Sequence, residues 1–554
     1  MTQHWQPEPQ LLTSLDTAVP EILASQKENG QFGTEPWIST DQNVLLALAT
    51  AWHFADSAHR GSERVLDAIV RGGYALIDAQ DEDGMFTFRK KDHSTWGQTY
   101  MPWAYSRWIR TFQLVRDAMS EHDRGQWEDG LMLGYEGISK TEMGRVHNIP
   151  AHHAMGLFCA AKVFGRTDWK DQAQAFMREV VAAQSEYGWW AEHDGPVVSY
   201  NFVYVEAVGV YYAMSGDAEV LNALKRAAQY HAGCTYPDGS SVETVDGRNP
   251  YHEGVRLGNV GFCHTAEGRG FLLQQHAIYL QSSDRFDADY AAQMLLYGDG
   301  GPVVETAAGQ ERHVYEMGDR AKMVRHRPWF LGVSAFAGAP PQNRWGQDRQ
   351  NFVSVFHDQV GLIVGGGNTK LQPLWSTFTV GNTDLLKHLP GDEDPDFGVR
   401  EGLIHVPDKA TIEGTEAVLG LGLTYGEEMC RVTLEPQGDQ ELRLVFEATA
   451  NTGMPVEGHV VLMPKLGDRL QTTTGDAIPL GEPPFAWTVP GPGGGIEHNG
   501  WRLFLTSNAR VVWPVLPHNP YRKDGAATIE EARLVVVLPF TKATIAHELR
   551  LFVI

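Results

Sequence analysis

Several kinds of residue and motif are scarce in this chain, and their scarcity excludes whole classes of protein. Only four cysteines occur in 554 residues, without the paired spacing of a metal site, so a disulfide framework is not expected. The 45 basic residues are outnumbered by 69 acidic ones, and the formal net charge of −24 argues against nucleic acid as a partner. No dinucleotide or phosphate-binding fingerprint is present, so no nucleotide cofactor is expected.

Long apolar runs and a secretory signal are also missing. No stretch reaches the length of a transmembrane helix, and residues 1–9 lack the basic and apolar parts of a signal peptide. We therefore expect no membrane partner, and a cytoplasmic protein, or a periplasmic or secreted one if a signal peptide was removed. With 42% hydrophobic residues, the chain should form two or three globular domains. Cys159 and Cys263 have apolar or small neighbours and should be inert core thiols.

What the chain does contain is a repeated glycine-centred turn in its first half. Gly30, Gly84, Gly188 and Gly239 each follow a polar run, with a period of about 52 residues and one double gap. An aromatic residue follows each of the first three glycines within two positions. A degenerate member is expected near 134–137. Each glycine should end a helix at a position that needs a positive φ.

Between these turns lie apolar patterns with helical spacing, such as Val44 to Ala49 and Val205 to Tyr211. About six helical hairpins stacked in this way would close as an α/α toroid, an incomplete barrel of hairpins with loops that form a cleft at one end. An open solenoid is the alternative. We expect the toroid to occupy residues 1–298.

From about residue 300 the pattern changes to short β-rich runs. Tyr297 to Pro302 has the composition of a boundary loop, and the alternation in Leu442 to Phe446 is that of a half-buried strand. Many strands at this spacing predict a large antiparallel β-sandwich over residues 299–554. The fold class is therefore a multidomain α and β protein.

Chemistry-bearing side chains concentrate around two apolar helices in the first half. Arg145 to His153 combines an amide, Asn148, with three imidazoles just before the helix from Ala154 to Phe164. Gly195 to Tyr204 supplies two tyrosines just before a second apolar helix. Such groups can hold a carboxylate, take a proton from carbon and return one to oxygen.

Together these features resemble the heparinase II/III-like and oligoalginate lyase superfamily of polysaccharide lyases, which join an α/α toroid to a β-sandwich. That family carries an Asn-Asn-His type motif before an apolar helix, where Asn148 lies in this chain, and a catalytic tyrosine one repeat later, where Tyr200 lies. Residues 351–364 resemble the sandwich strand pair that faces the cleft in the family. Two departures are clear: His147 precedes Asn148, and the zinc-binding His-x-His-x-Asp cluster of some members is absent before Phe352.

The resemblance implies β-elimination from an acidic, uronate-containing poly- or oligosaccharide, leaving an unsaturated uronate end. Asn148 would neutralise the carboxylate, Tyr200 would be the acid and possibly the base, and His152 the complementary base. The alternatives are a helix cap for Asn148, packing or capping for His152 and His153, and a rim tyrosine at Tyr200.

Further side chains near the same turns are candidates for substrate contact. An aromatic cluster after the second turn suits sugar stacking or core packing, and Arg256 suits an anionic group or an ion pair. Tyr204 shares the face of Tyr200 and fits either core or cleft. The predicted substrate-binding residues are His147, His153, Tyr204, Trp96, Tyr100, His252 and Arg256.

Two other functions stay open, and a metal site is not expected. The histidines and acidic residues at 147, 152, 153, 193–194 and 252–253 lack strong ligand spacing. A glycoside hydrolase on the same toroid would need two facing carboxylates. The carboxylates near the turns are Glu192, Asp194, Asp238, Glu243 and Glu253. A non-catalytic glycan-binding protein would show aromatic rows without the polar cluster.

Overall fold

The structure is a computed structural model that describes residues 4–6, 9–193, 195–306, 309–389 and 391–554. The described residues fall into two compact units, one within 1–190, 199–230 and 257–306, the other within 191–198, 231–256 and 307–554. Segments 191–198 and 231–256 thus group with the C-terminal strands. The predicted boundary between residues 298 and 299 stays a prediction.

The first unit is helical. Its helices are α1 (Pro9–Ala24), α2 (Val44–His53), α3 (Glu63–Ile77), α4 (Pro102–Val115), α5 (Glu121–Thr141), α6 (Asn148–Phe164), α7 (Thr167–Ala182), α8 (Val198–Ser215), α9 (Leu221–Gly233), α10 (Ala266–Tyr279) and α11 (Ala288–Tyr297). Short strands accompany them: β1 (His4–Trp5), β2 (Phe86–Arg89), β3 (Thr95–Thr99) and β6 (Gly301–Pro302).

The helices form hairpins that close into a ring. Helices α2, α4 and α6 pack in succession, and α11 packs against both α1 and α2. Strand β1 pairs with β6, so the two ends of the unit are hydrogen-bonded. Helix α2 is apolar from Val44 to Ala51 and almost wholly buried, as an inner helix must be. Closure favours the toroid over the open solenoid.

Glycine turns end the hairpins as the repeat predicts. Gly30, Gly84, Gly188 and Gly239 have φ of +81°, +83°, +91° and +85°. Each donates its N–H to the carbonyl three residues earlier, at 2.9–3.0 Å. The degenerate member expected at 134–137 is wrong, because these residues lie inside α5.

The second unit is a sandwich of two antiparallel sheets, with the small β4 (Ala191–Glu192) and β5 (Gly195–Pro196) beside them. The strands are β7 (Arg312–Glu316), β8 (Ala321–His326), β9 (Trp329–Ser334), β10 (Val353–His357), β11 (Gly361–Val364), β12 (Phe378–Gly381), β13 (Leu403–Ile404), β14 (Lys409–Gly414), β15 (Leu419–Tyr425), β16 (Glu428–Pro436), β17 (Glu441–Ala448), β18 (Val456–Leu462), β19 (Arg469–Thr472), β20 (Ala477–Pro479), β21 (Phe485–Thr488), β22 (Gly495–His498), β23 (Trp501–Phe504), β24 (Arg510–Val515), β25 (Arg533–Phe540) and β26 (Ala546–Val553).

Strand order brings distant segments together. One sheet has the strand order β21-β24-β25-β18-β11-β10-β9-β8-β7. In the same sheet, β12 also pairs with β18, and β13 pairs with β12. The other sheet has the strand order β14-β15-β16-β17-β26-β23-β22-β19-β20. Buried residues of both sheets form a single apolar cluster that includes Val355, Leu421, Phe446 and Leu534. The alternation predicted from Leu442 is confirmed, since every second residue of β17 is buried.

All four cysteines are free and buried. Burial raises the pKa of Cys159 and of Cys263 to about 12, which keeps both thiols protonated and unreactive. The expectation of inert core thiols is confirmed.

Candidate active site

The first element of the candidate site is the start of α6, where His147 and Asn148 lie. His147 is the N-cap residue, with an extended backbone (φ −153°) and no side-chain capping hydrogen bond. Asn148 is the first helical residue and is 5% exposed. Asn148 is therefore not the capping residue, and the helix-cap alternative for it is wrong.

His152 follows one turn later and is completely buried. Its Nε2 lies 3.3 Å from Oε1 of Glu206 on α8, and its Nδ1 is buried without a hydrogen-bond partner. Burial, followed by the guanidinium groups of Arg107 and Arg110, lowers the pKa of His152 well below its ordinary value. Because a carboxylate only accepts, Nε2 carries the proton of this neutral ring and Nδ1 has the lone pair.

The burial of these imidazoles bears on their predicted roles. His152 has no exposed surface, which does not fit a base in direct contact with a polymer. Burial lowers the pKa of His153 to about 3, although a hydrogen bond with the backbone of Tyr100 acts in the opposite direction and raises it. His153 is 2% exposed and therefore packs in the interior instead of presenting a binding surface.

The second element is the start of α8, where Tyr200 lies. Tyr200 is half-buried, so part of its side chain is open to solvent. Tyr204, one turn later, is 1% exposed and stacks on Trp190, with ring centroids 5.0 Å apart and an interplanar angle of 9°. Tyr204 is thus a core residue in this structure, which resolves the two alternatives for it and does not fit substrate binding.

A chain of charged side chains links the inner helices. Arg107 on α4 makes a two-point contact with Asp289 on α11, Nε to Oδ1 at 3.0 Å and Nη2 to Oδ2 at 2.6 Å. The same Nη2 lies 3.4 Å from Oε1 of Glu206, which contacts His152. The cluster joins α6, α8, α4 and α11.

Sequence reasoning missed this cluster, although a signal for it exists. Glu206 is the only charged residue among the 18 residues of α8, and Arg107 and Arg110 are the only charged residues of α4. An isolated charge in an apolar helix is costly to bury unless it is paired. Such charges predict partners across the ring, without saying on which helix.

The hairpin of β2 and β3 carries Trp96. Its ring is half-buried, Nε1 donates to Oγ of Ser94 at 3.0 Å, and the ammonium group of Lys90 lies 5.7 Å from the ring centroid. Trp96 retains an exposed surface that can stack on a sugar. Tyr100 is 6% exposed and donates to the carbonyl of Asp83 at 3.1 Å, so the packing alternative holds for it.

His252 and Arg256 belong to the β-rich unit. His252 is exposed and Arg256 is half-buried. Although the side chain is exposed overall, neighbouring atoms partly desolvate its ring, and this desolvation, followed by the charge of Arg256, lowers the pKa of His252, so the ring is neutral at pH 7. These two predicted binding residues therefore supply one cation and one neutral imidazole in that unit.

A second arginine in the same unit was also missed. The guanidinium group of Arg248 lies 4.8 Å from the Trp345 ring centroid and 5.4 Å from that of Tyr521. Its Nε donates to the Tyr521 hydroxyl at 3.1 Å. Asp246 fixes this loop by accepting the backbone N–H of Arg248 and of Asn249, at 2.8 and 2.7 Å. The short Asp-Gly-Arg-Asn sequence is typical of such a turn.

Three of the carboxylates that a hydrolase could use are buried or held within their own turn. Glu243 is 2% exposed and accepts from the hydroxyls of Tyr236 and Ser354, at 2.8 and 3.1 Å. Glu192 is 1% exposed, and Asp238 accepts from the backbone and side chain of Ser240 within its turn.

The remaining acidic and histidine candidates give no further site. Glu253 is exposed, and Asp194 lies outside the described residues. Within the described parts of the chain, no three His, Cys, Asp or Glu side chains are placed to hold a metal ion. Nor does any described helix combine the length and apolar character of a membrane span.

Comparison with solved structures matches the whole chain to polysaccharide lyases. A chondroitin AC lyase from Streptomyces coelicolor A3, in complex with chondroitin sulphate, is 13% identical with a TM-score of 0.54, over 100% of this chain and 80% of that one. A heparinase III is 11% identical with a TM-score of 0.54, over 99% and 85%. The fold is that of the heparinase-like polysaccharide lyases.

A second chondroitinase AC lyase, studied with oligosaccharides, is 11% identical to this chain with a TM-score of 0.52, over 98% of this chain and 82% of that one. No protein-family profile and no curated protein sequence matches the chain. The polysaccharide lyase fold therefore confirms the predicted helical toroid and β-sandwich, and the predicted resemblance, at the level of architecture.

Proposed function

We propose that this protein is a polysaccharide lyase that cleaves an acidic, uronate-containing poly- or oligosaccharide by β-elimination. The observation that carries the proposal is the relation between α6 and α8. The contact between Nε2 of His152 on α6 and Oε1 of Glu206 on α8, at 3.3 Å, joins these two helices. Asn148 lies four residues before His152 on α6, which is about 6 Å along the helix axis. Tyr200 lies six residues before Glu206 on α8, which is about 9 Å along that axis.

Asn148 and Tyr200 each lie in the first turn of one of these helices, on the N-terminal side of the residue that makes the joining contact. With helix axes about 8–10 Å apart, one sugar residue can reach both side chains. Of the three predicted catalytic residues, Tyr200 is the most exposed, Asn148 is 5% exposed, and His152 has no exposed surface. These positions support a site at the N-terminal ends of α6 and α8.

The proposed reaction needs one donor and one proton carrier. The proton next to a uronate carboxylate is very weakly acidic until hydrogen bonds neutralise the carboxylate and stabilise the enolate-like intermediate. The Asn148 amide supplies such a hydrogen bond. Tyr200, acting as the tyrosinate, takes the proton from the carbon, and the electron pair of that bond forms the carbon–carbon double bond. The tyrosine hydroxyl formed in this way returns the proton to the glycosidic oxygen as it leaves.

The substrate class follows from the same groups and from the solved neighbours. One neighbour is a complex with chondroitin sulphate, an acidic polysaccharide. In this chain, the helical unit carries Trp96, whose half-exposed ring lies beside the ammonium group of Lys90. An aromatic face for the sugar and a cation for its charge suit an acidic polysaccharide or oligosaccharide.

The test uses a panel of acidic polysaccharides and the ultraviolet absorbance of the unsaturated uronate. Absorbance should grow with the wild type on at least one polymer, and Tyr200→Phe should lower kcat by at least about 100-fold. Tyr204→Phe removes the same hydroxyl one turn later, from a ring packed on Trp190, and should stay active. New reducing ends without absorbance would instead indicate hydrolysis, and binding without cleavage would indicate a glycan-binding protein.

A further inference from the structure

We infer that His152 is a positioning residue that holds α6 against α8 through Glu206, and that it does not itself take the substrate proton. The inference rests on the proposed function, since the residues it positions are Asn148 and Tyr200. Its basis is geometric. The ring is completely buried, and its one protein hydrogen bond joins the two helices that carry the proposed catalytic groups.

His152 is matched to this role by its place on α6. It lies four residues after Asn148, so the two side chains share one face of the helix, one turn apart. Any sliding or rotation of α6 relative to α8 therefore both moves Asn148 and breaks the contact between His152 and Glu206. A proton-abstracting base, by contrast, must approach the substrate carbon within hydrogen-bond reach, which a ring with no exposed surface does not do.

Glu206 is in turn fixed from the opposite side. Its Oε1 lies 3.4 Å from Nη2 of Arg107, and Arg107 is held by the two-point contact with Asp289 on the ring-closing helix α11. Gln293 on α11 also donates to Asp289, at 3.0 Å. The position of His152 is therefore set by three other inner helices.

Such a cluster is better suited to fixing geometry than to adding stability. Arg107 is 5% exposed, and it contacts two carboxylates that are themselves mostly buried, with side-chain exposures of 16% for Glu206 and 25% for Asp289. Burying charges costs desolvation that the ion pairs only partly offset, whereas apolar side chains of similar size pack without that cost. In return, directional hydrogen bonds define one alignment of α4, α6, α8 and α11.

The test compares two variants at one position. In His152→Gln the side-chain amide keeps an N–H donor near the place of Nε2 and has no basic nitrogen, whereas His152→Ala removes both. Positioning predicts that His152→Gln keeps kcat within about threefold, while His152→Ala loses about 10- to 100-fold with little change in KM. Glu206→Gln and Glu206→Ala should behave in the same way. A folded His152→Gln as inactive as His152→Ala would overturn the inference in favour of a base.

A second readout does not depend on activity. Fluorotyrosine placed at position 200 reports the surroundings of that ring by fluorine NMR. His152→Ala should shift or broaden the signal, and His152→Gln should leave it as in the wild type. Glu219→Gln, an exposed carboxylate paired with Arg178, is the control that should change nothing. An unchanged signal in His152→Ala would overturn the inference. If no polymer is cleaved, the proposed function fails, and this NMR comparison still decides the role of His152.

Discussion

At the scale of single residues, Asp289 shows how a buried cation is retained inside an apolar ring. Arg107 is almost fully buried, and burial works against its charge, yet Asp289 and Glu206 raise the pKa of the guanidinium group above its ordinary value. Asp289 makes the shorter and two-point contact. The charge of Arg107 therefore depends mainly on Asp289.

Asp289→Ala should destabilise the protein by about 3 kcal/mol, because it leaves a buried guanidinium group with only the longer contact to Glu206. Asp289→Asn should cost less, since one acceptor remains. Urea unfolding measures both. The control is Asp168→Ala, which breaks an exposed pair with Arg166 and should change stability little. Equal effects of Asp289→Ala and Asp168→Ala would contradict the account.

The sequence predicted that Asn148 and Tyr200 lie just before two apolar helices, and the structure places them within the first turns of α6 and α8. It did not show that His152 is buried, because α6 is apolar on almost every side from Ala151 to Ala161 and offers no polar face to mark the solvent side. It also did not show which helix pairs with Glu206. That information lies in the closure of the ring.

At the scale of elements, the repeated glycine turns were predictable because they combine a required φ with a fixed spacing. The pattern failed where glycine has another reason to occur. Gly134 and Gly137 lie within α5, where a Cβ would come within about 2 Å of the rings of Tyr105 and Tyr100. These glycines allow close packing, and spacing alone does not separate that use from a turn.

Gly188→Ala tests the turn geometry against a matched position. Gly188 and Gly61 both have positive φ, +91° and +65°. A Cβ at 188 would lie 2.1 Å from the carbonyl oxygen of Arg226, whereas nothing lies within 4 Å at 61. Gly61→Ala should cost about 1 kcal/mol for the backbone alone, and Gly188→Ala about 3 kcal/mol or more. Equal losses in urea unfolding would show that the turn is not packed as described.

The loop after β17 should give the sandwich a measurable acid sensitivity. Burial of Glu428 tends to raise its pKa, but hydrogen bonds from Thr449, Thr452 and Asn451 outweigh this and lower the pKa from 4.5 to about 2. A depressed pKa contributes stability that is present above the unfolded value and is lost as the pH falls towards the folded one.

Glu428→Gln should therefore destabilise the protein by about 3 kcal/mol at pH 7. The difference from the wild type should shrink as the pH falls from about 5 towards about 2, because the wild-type carboxylate then becomes protonated. Urea unfolding at several pH values measures this difference. Glu548→Gln, an exposed partner of Arg443 in the same sheet, is a control for general acid effects. A difference in unfolding free energy between the wild type and Glu428→Gln that does not change with pH would contradict the lowered pKa of Glu428.

At the scale of the whole molecule, composition and the change of pattern near residue 300 were enough to predict a toroid and a sandwich. They did not give the strand order. Strand β18 pairs with β25, and β17 with β26, across about 70–110 residues of sequence. Segments 191–198 and 231–256 group with the β-rich unit although they precede its strands. Such long-range pairing leaves no local signal.

The central claim is that cleavage proceeds by elimination, and digestion in heavy-oxygen water tests it most directly. An acidic polysaccharide that the protein degrades is digested in labelled water, and the new ends are analysed by mass spectrometry. Elimination predicts that the fragment with the unsaturated uronate is lighter by one water than the corresponding hydrolysis product. It also predicts that neither this fragment nor the fragment released with it carries the oxygen label. One labelled oxygen at each new reducing end would mean hydrolysis, and would contradict the proposed roles of Asn148 and Tyr200.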